Sequence, residues 1–321
     1  MRWRIALFLP LAALVLGACG EAPPPRLYGL EKVDAPAPRE FQFEGALENR
    51  KSEPYAPLMQ LSSVAVLPDG RMFLADIGSG RIHRFDKDGE YLGAVDRPSV
   101  GFAPLDLAAL SFHLYALDRS EQKVYRFNRD GVLRDMVLDL NALDLDRPVR
   151  ISAFDFDRDG RLALADAVGH RVLVTSPFLK FDYSVGEYGQ FLGQLNQPDG
   201  VCFGPSGFLY VSDKGNARVE VFDETGQVLA ATPGLEAVHP LMVAPAGLDT
   251  DRFGNVYVAD AGMGVVHVLA PDLHYLSSVG GDEFAPDHLR TPVDCAVGPD
   301  DRLYVIDAGR NALLVYRIVF P

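Results

Sequence analysis

The stretch DFDRDGRLALAD, Asp155 to Asp166, can be understood in two ways, and the choice decides the fold. Taken alone it has the spacing of a calcium loop. Acids stand at positions one, three and five, a glycine at six and a carboxylate at twelve, which is how Ca²⁺ gathers six to eight oxygens around one turn. Such a loop needs a helix on each side. Here RPVRISAF precedes it and AVGHRVLVTS follows, and both alternate as strands do. Between positions five and twelve the chain would run as a strand about 17 Å long, so the two ends cannot share one ion. A reduced site on Asp155, Asp157 and Asp159 in the turn is the only metal expectation left, and a weak one.

Aligning on Asp166 shows what the stretch belongs to. GRMFLAD ends at Asp76, HLYALD at Asp118, GRLALAD at Asp166, GFLYVSD at Asp213, GNVYVAD at Asp260 and DRLYVID at Asp307, with spacings of 42, 48, 47, 47 and 47 residues. Each copy has an apolar run, a turn (PDG, DRDG, GPSG, DRFG or GPDD), a second run closing at the Asp, a short loop and a third run such as RIHRFD or RVEVFD. Three copies add a turn glycine thirteen residues after the Asp (Gly89, Gly131, Gly226) and a fourth run. Period-two alternation, β-branched and aromatic residues, and turns at fixed offsets mark strands. Four strands in each of six copies predict an all-β fold, a six-bladed β-propeller of four-stranded antiparallel blades. The sixth copy ends after its third strand. REFQFEGAL, Arg39 to Leu47, alternates Phe41 and Phe43 with polar residues and is expected to close the ring as the missing outer strand.

Asn196 to Leu229, NQPDGVCFGPSGFLYVSDKGNARVEVFDETGQVL, resembles an NHL repeat: proline, apolar strand, turn glycine, V-x-D, then N-x-R-V and an aromatic. VGEYGQFLGQLNQP, Val185 to Pro198, resembles the linker preceding such repeats. The resemblance extends over residues 58–318. Copies one to four carry a basic residue five positions after the Asp (Arg81, Lys123, Arg171, Arg218), and copies five and six do not. Relatives of this fold include lyases and esterases. Zinc-holding histidines of the amidating lyases find no counterpart at the channel positions here, so no zinc or other cofactor is expected, and Asp155, Asp157 and Asp159 stay the one weak metal candidate.

The N-terminus has a second message. MRWR, the apolar IALFLPLAALVLGAC and the lipobox-like Leu16-Gly17-Ala18-Cys19 resemble a bacterial lipoprotein signal peptide over residues 1–18. That resemblance implies a mature chain lipidated, palmitate included, on Cys19, with Gly20 favouring the outer membrane facing the periplasm. Residues 19–38, rich in proline, then form a tether, and 39–321 the propeller. The formal net charge of −14 becomes −16 once Arg2 and Arg4 are removed, which argues against nucleic acid. Cys202 and Cys295 fall in first strands two copies apart, too far for a disulfide, and are expected as free buried thiols.

The six recurrent Asp residues, present in every copy, are expected to brace the blade. A unique site must come from what differs. In register the channel-ring positions are Ser63, Asp106, Ala153, Gly200, Gly247 and Asp294, and Asp199, His239 and His288 lie in loops on the same face. Asp106, Asp199, His239, His288 and Asp294 form the candidate binding face. There is no G-x-S-x-G, HExxH or P-loop, so no catalytic residue is assigned. The expectation is a monomeric, lipid-anchored scaffold that binds an exported protein or a ligand. The alternative is an extracytoplasmic hydrolase or lyase working in the channel around Asp106 and Asp294.

Overall fold

The computed structural model describes residues 35–48, 57–95, 98–143, 145, 147–235, 237 and 241–321. The signal segment, Cys19, most of the tether and His239 lie outside these. The described residues form six four-stranded antiparallel sheets arranged as propeller blades. Blade 3 shows the unit: Ile151–Phe156, Leu162–Asp166, Arg171–Thr175 and Phe181–Val185, hydrogen-bonded in that order. The inner strands of the other blades are Leu61–Val66, Pro104–Leu110, Pro198–Phe203, Pro245–Thr250 and Pro292–Val297.

The stretch that opened the question is a strand–turn–strand. Asp155 and Phe156 end the inner strand, Gly160 takes φ 86° in the turn, and Leu162–Asp166 is the second strand. A left-handed φ of this kind suits glycine because it lacks a Cβ, and the equivalent Gly70, Gly207 and Gly254 adopt it too. The second strands of blades 1, 3, 4 and 5 are buried at every residue. Alternation was expected there, but the strand is sandwiched between two neighbouring blades and has no wet face, so its sequence becomes continuously apolar.

The core is divided in the same way. Six apolar clusters sit one at each blade–blade interface, for example Ala108, Tyr115, Phe154 and Leu164 between blades 2 and 3, and Tyr257, Val266, Leu303 and Leu314 between blades 5 and 6. No blade has a core of its own, which is why the repeats stand only as a ring.

The ring closes as expected. Glu40–Leu47 pairs antiparallel with Ala312–Val319 as the outer strand of blade 6. Phe43 packs on Tyr316 at 5.6 Å between ring centroids, and Phe41 on Tyr257 at 6.3 Å. Glu40 faces Val319 and Leu47 faces Leu313, so the chain enters the propeller on the face of the third-to-fourth-strand turns and climbs to the opposite face. Arg39 N–H donates to Val319 O (2.7 Å), and the buried Asn255 Nδ2 donates to Pro36 O (2.9 Å) beside a turn on that entry face.

Candidate channel site

The recurrent Asp residues brace the blades. Asp76 accepts from the N–H groups of Met59 and Gln60 (3.0 and 2.9 Å), Asp260 from Val243 and Ala244, and Asp307 from Arg290 and Thr291. Each ties the second strand to the linker entering its own blade. All six are fully buried. The basic partner varies. Arg171 and Arg218 reach Asp166 and Asp213 at 3.2 and 3.0 Å. Lys123 pairs with Glu121 instead of Asp118. In blades 1 and 5 a histidine seven positions after the Asp stands nearest, His83 at 3.5 Å and His267 at 3.3 Å. Burial pushes the Asp76 and Asp260 carboxyls up, but the adjacent histidine and the backbone N–H groups that donate to them outweigh it, so both end below the ordinary carboxylate range.

The channel along the ring axis encloses about 470 Å³. Its acids are Asp106 and Asp294 at the expected ring positions, Asp199 near the mouth, and two unforeseen ones, Asp155 and Asp249, two residues further along their inner strands. Among the described residues no Lys, Arg or His lines it. The inner strand of each blade has one edge turned to the channel, and its N–H groups there have no strand partner. The acids answer that need across the blade junctions. Asp106 Oδ2 accepts from Phe154 N–H (2.8 Å), Asp155 Oδ2 from Phe203 N–H (2.8 Å), Asp249 Oδ2 from Val297 N–H (2.7 Å) and Asp294 Oδ2 from Val64 N–H (2.9 Å). Ser63 serves the junction of blades 1 and 2. Its Oγ accepts from Leu107 N–H (3.1 Å) while its O–H donates to Asp106 Oδ1 (2.8 Å). At blades 4 and 5 the residue is Gly200, and the strands pack directly: a Cβ there would stand 2.4 Å from Ala246 O.

Burial pushes all four of these carboxyls up, against the pull of the N–H groups they accept. Asp249 rises to about 6. Asp155 goes well above the ordinary range with the charges of Asp249 and Asp106 adding to burial, and Asp294 does so with Asp106 adding. Asp106 is raised as well. Each of these side chains is only partly buried on the channel side, which tempers the effect. Cys202 and Cys295 are free, buried and lie between these acids. Burial first, then the neighbouring carboxylates, pushes both thiols well up, so they stay protonated and unreactive.

The three acids of the opening motif are engaged separately. Asp155 is stapled in the channel, Asp157 caps the turn by accepting from Asp159 N–H (3.0 Å), Arg161 N–H (2.7 Å) and Arg161 Nε (2.6 Å), and Asp159 is exposed. Among the described residues no group of three His, Cys, Asp or Glu is arranged to hold a metal ion. At the mouth, Asp199 pairs with Lys214 (2.8 Å) beside His170, whose Nδ1 accepts from Gln197 N–H (3.1 Å). His288 lies on the linker between blades 5 and 6, outside the channel lining, and His239 is outside the described residues. The structure thus brings Asp106, Asp199 and Asp294 together in one cavity. The signal for Asp155 and Asp249 was the period of two: a residue two places after a channel-facing one faces the channel too.

Residues 195–222 match the NHL repeat model, within the copy that resembled it most. No curated protein matches the sequence. Solved structures share the fold. A structural-genomics protein of unknown function from Bacteroides thetaiotaomicron aligns with TM-score 0.66 at 14% identity, over 87% of this chain and 73% of that one. Virginiamycin B lyase from Staphylococcus aureus aligns with TM-score 0.57 at 13% identity, over 87% and 89%. Regucalcin, a calcium-binding protein from Agrobacterium tumefaciens, aligns with TM-score 0.60 at 18% identity, over 87% and 95%. The chain is a six-bladed β-propeller carrying an NHL repeat.

Proposed function

We propose that this propeller is an exported, lipid-anchored binding scaffold, held by Cys19 at the outer membrane and presenting its channel mouth to an exported partner. The observation that carries it is the opposition of the two faces. The chain enters beside the turns at one end, where Pro36 and Arg39 are held, and the channel mouth with Asp199 opens at the other. A tether leading to a lipid would keep the entry face toward the membrane and the mouth toward the periplasm. Support for binding over catalysis comes from the channel acids. Asp106, Asp155, Asp249 and Asp294 are each occupied in joining two blades, and no histidine or lysine among the described residues lines the channel beside these four as a base.

Two measurements test this. The mature chain should carry a diacylglyceryl mass increment on Cys19 and sediment with membranes, and Cys19→Ala should release it to the soluble fraction. An unmodified Cys19 in the mature protein ends the anchoring claim. The second reading is an extracytoplasmic hydrolase or lyase in the channel. It is favoured by the burial that pushes Asp249 up to about 6, within the range a general acid or base uses. The double variant Asp106→Asn, Asp294→Asn separates the two. If it folds but loses the function seen in cells while partner capture is unchanged, the enzyme reading is right.

A further inference from the structure

We infer that the channel mouth docks a polypeptide that presents a Lys or Arg between apolar side chains. The inference rests on the scaffold reading and specifies its partner.

Most of the exposed large apolar side chains among the described residues lie in loops at the mouth end; in the turns of the opposite face stand only Phe112, Val132 and Phe178. The strongest cluster is one loop. Tyr188, Phe191 and Leu192 are 70%, 73% and 54% exposed. That loop is held rigid from below. Arg218, 3% exposed, donates to Gln190 O (2.8 Å), Phe191 O (2.9 Å) and Gln194 O (2.8 Å). Asn216 Nδ2 donates to Gly189 O (2.8 Å), and Gly193 N–H to Glu220 Oε1 (3.1 Å). A buried guanidinium is expensive to desolvate, and here it fixes a surface loop whose aromatic side chains face water. Pre-set aromatic anchors of this kind carry binding energy because little freedom is left to lose on docking.

The charge says what sits between the anchors. Tyr188 packs against His170 at 4.8 Å, His170 borders the Asp199–Lys214 pair, and Asp199 lines the channel. Below it lie Asp106 and Asp294, then Asp155 and Asp249, with no cation among the described lining residues. A cationic side chain entering from the mouth passes Lys214, which is paired with Asp199, and below that pair meets carboxylates alone, so charge complementarity selects it there. An anionic bilayer is a poor occupant for this acidic chain. A second copy docked mouth to mouth would set acids against acids.

The test is a display library of random nine-residue peptides panned on the full-length protein in detergent at pH 7.5. Enriched peptides are expected to carry Lys or Arg flanked by apolar residues. By fluorescence anisotropy, replacing that cation with norleucine or Glu should weaken binding at least about tenfold. Phe191→Ser with Leu192→Ser should weaken it about tenfold or more, while Phe178→Ser on the opposite face should leave it unchanged. Enrichment of cation-free peptides, no enrichment at all, or equal binding of the Glu analogue overturns the proposal. So does mouth-dependent flotation of the Cys19→Ala chain with phosphatidylglycerol vesicles, or a dimer that Phe191→Ser dissolves. Binding is measured without reference to the anchor, so failure here and failure of the Cys19 test are separate results.

Discussion

Changing Asp106 to Asn should stabilise the protein above pH 7. The carboxylate joins blades 2 and 3 and repels Asp294, and burial holds its titration above that of an unfolded aspartate. A folded-state value above the unfolded one means that the native state holds its proton more tightly. Native stability is then reduced at pH above the folded value and recovered as pH falls toward the unfolded value near 4. Asn preserves the geometry. Its Oδ1 can accept Phe154 N–H as Asp106 Oδ2 does, and its Nδ2 can donate to Ser63 Oγ, which sits 2.8 Å from the other carboxylate oxygen. The charge is lost, and the Ser63 hydroxyl, which donates to Asp106 Oδ1, must turn its proton into the channel to accept from Nδ2. Asp106 rises to about 6, about a hundredfold in proton affinity over an unfolded aspartate, which undiscounted is worth about 3 kcal/mol. Its partial exposure to the channel cuts that to about 1–2 kcal/mol. For a chain of this size that is about 2–8 °C in Tm. Thermal melts by circular dichroism at pH 8 and pH 4.5 read it directly: the variant should melt higher at pH 8 and converge with wild type at pH 4.5. A variant that is less stable at pH 8, or a difference that does not change with pH, refutes the account of the channel carboxylates.

Wild-type stability itself should peak in mild acid. The raised channel acids favour pH below 6, while the depressed Asp76 and Asp260 contribute stability present above about pH 4 and lost as pH falls further; urea midpoints across pH 3–9 that rise steadily to pH 9 would contradict this. Gly200→Ala should cost about 1–3 kcal/mol or more, because the new Cβ meets the backbone oxygen of Ala246 at 2.4 Å and Leu248 Cδ2 at 2.8 Å. An unchanged urea midpoint would show that blades 4 and 5 can part there. Arg218→Ala should cost about 3–5 kcal/mol by leaving Asp213 and Glu220 without their shared cation, and amide exchange in residues 187–195 should speed up ahead of the rest of blade 4. Removing residues up to 48 strips the outer strand from Ala312–Val319 and opens a sheet edge, so light scattering should find larger oligomers for the truncated chain than for the full chain.

The propeller was legible because a ring of blades repeats its demands. The Asp at the end of each second strand, the turn glycine and the apolar runs recur at one period, and Glu40–Leu47 was visible as the strand that copy six lacks. The opening motif shows why the site was harder. Asp155 looked like part of the turn because it stands two residues before Asp157, yet the last residues of an inner strand still alternate between channel and core. Its neighbour Asp157 is taken up by the turn itself. The basic partner of the recurrent Asp also escaped the pattern at blades 1 and 5, because a histidine two places further along the third strand comes as close to the carboxylate as the +5 residue does elsewhere. The rigidity of the 187–195 loop had no local signal at all. Glycines at 186, 189 and 193 suggest slack chain, and only the carbonyls gathered around Arg218, more than twenty residues later, show that it is fixed.

One physical economy links these features. An inner strand must leave N–H groups facing the channel, and a neighbouring side chain must accept them. A serine can do so without charge, as Ser63 does for Leu107. Asn could do so as well. Four junctions use Asp instead, crowding carboxylates whose burial and mutual repulsion cost stability. Joining blades does not require that cost. A cationic group delivered to the channel would relieve it, because each acid would then ionise against a partner in place of its neighbours. Binding should therefore release protons near pH 6, and calorimetry of a Lys-bearing peptide in buffers of different ionisation enthalpy measures that number. Zero proton release on binding would mean that the cation stops at Asp199 and never meets the acids below.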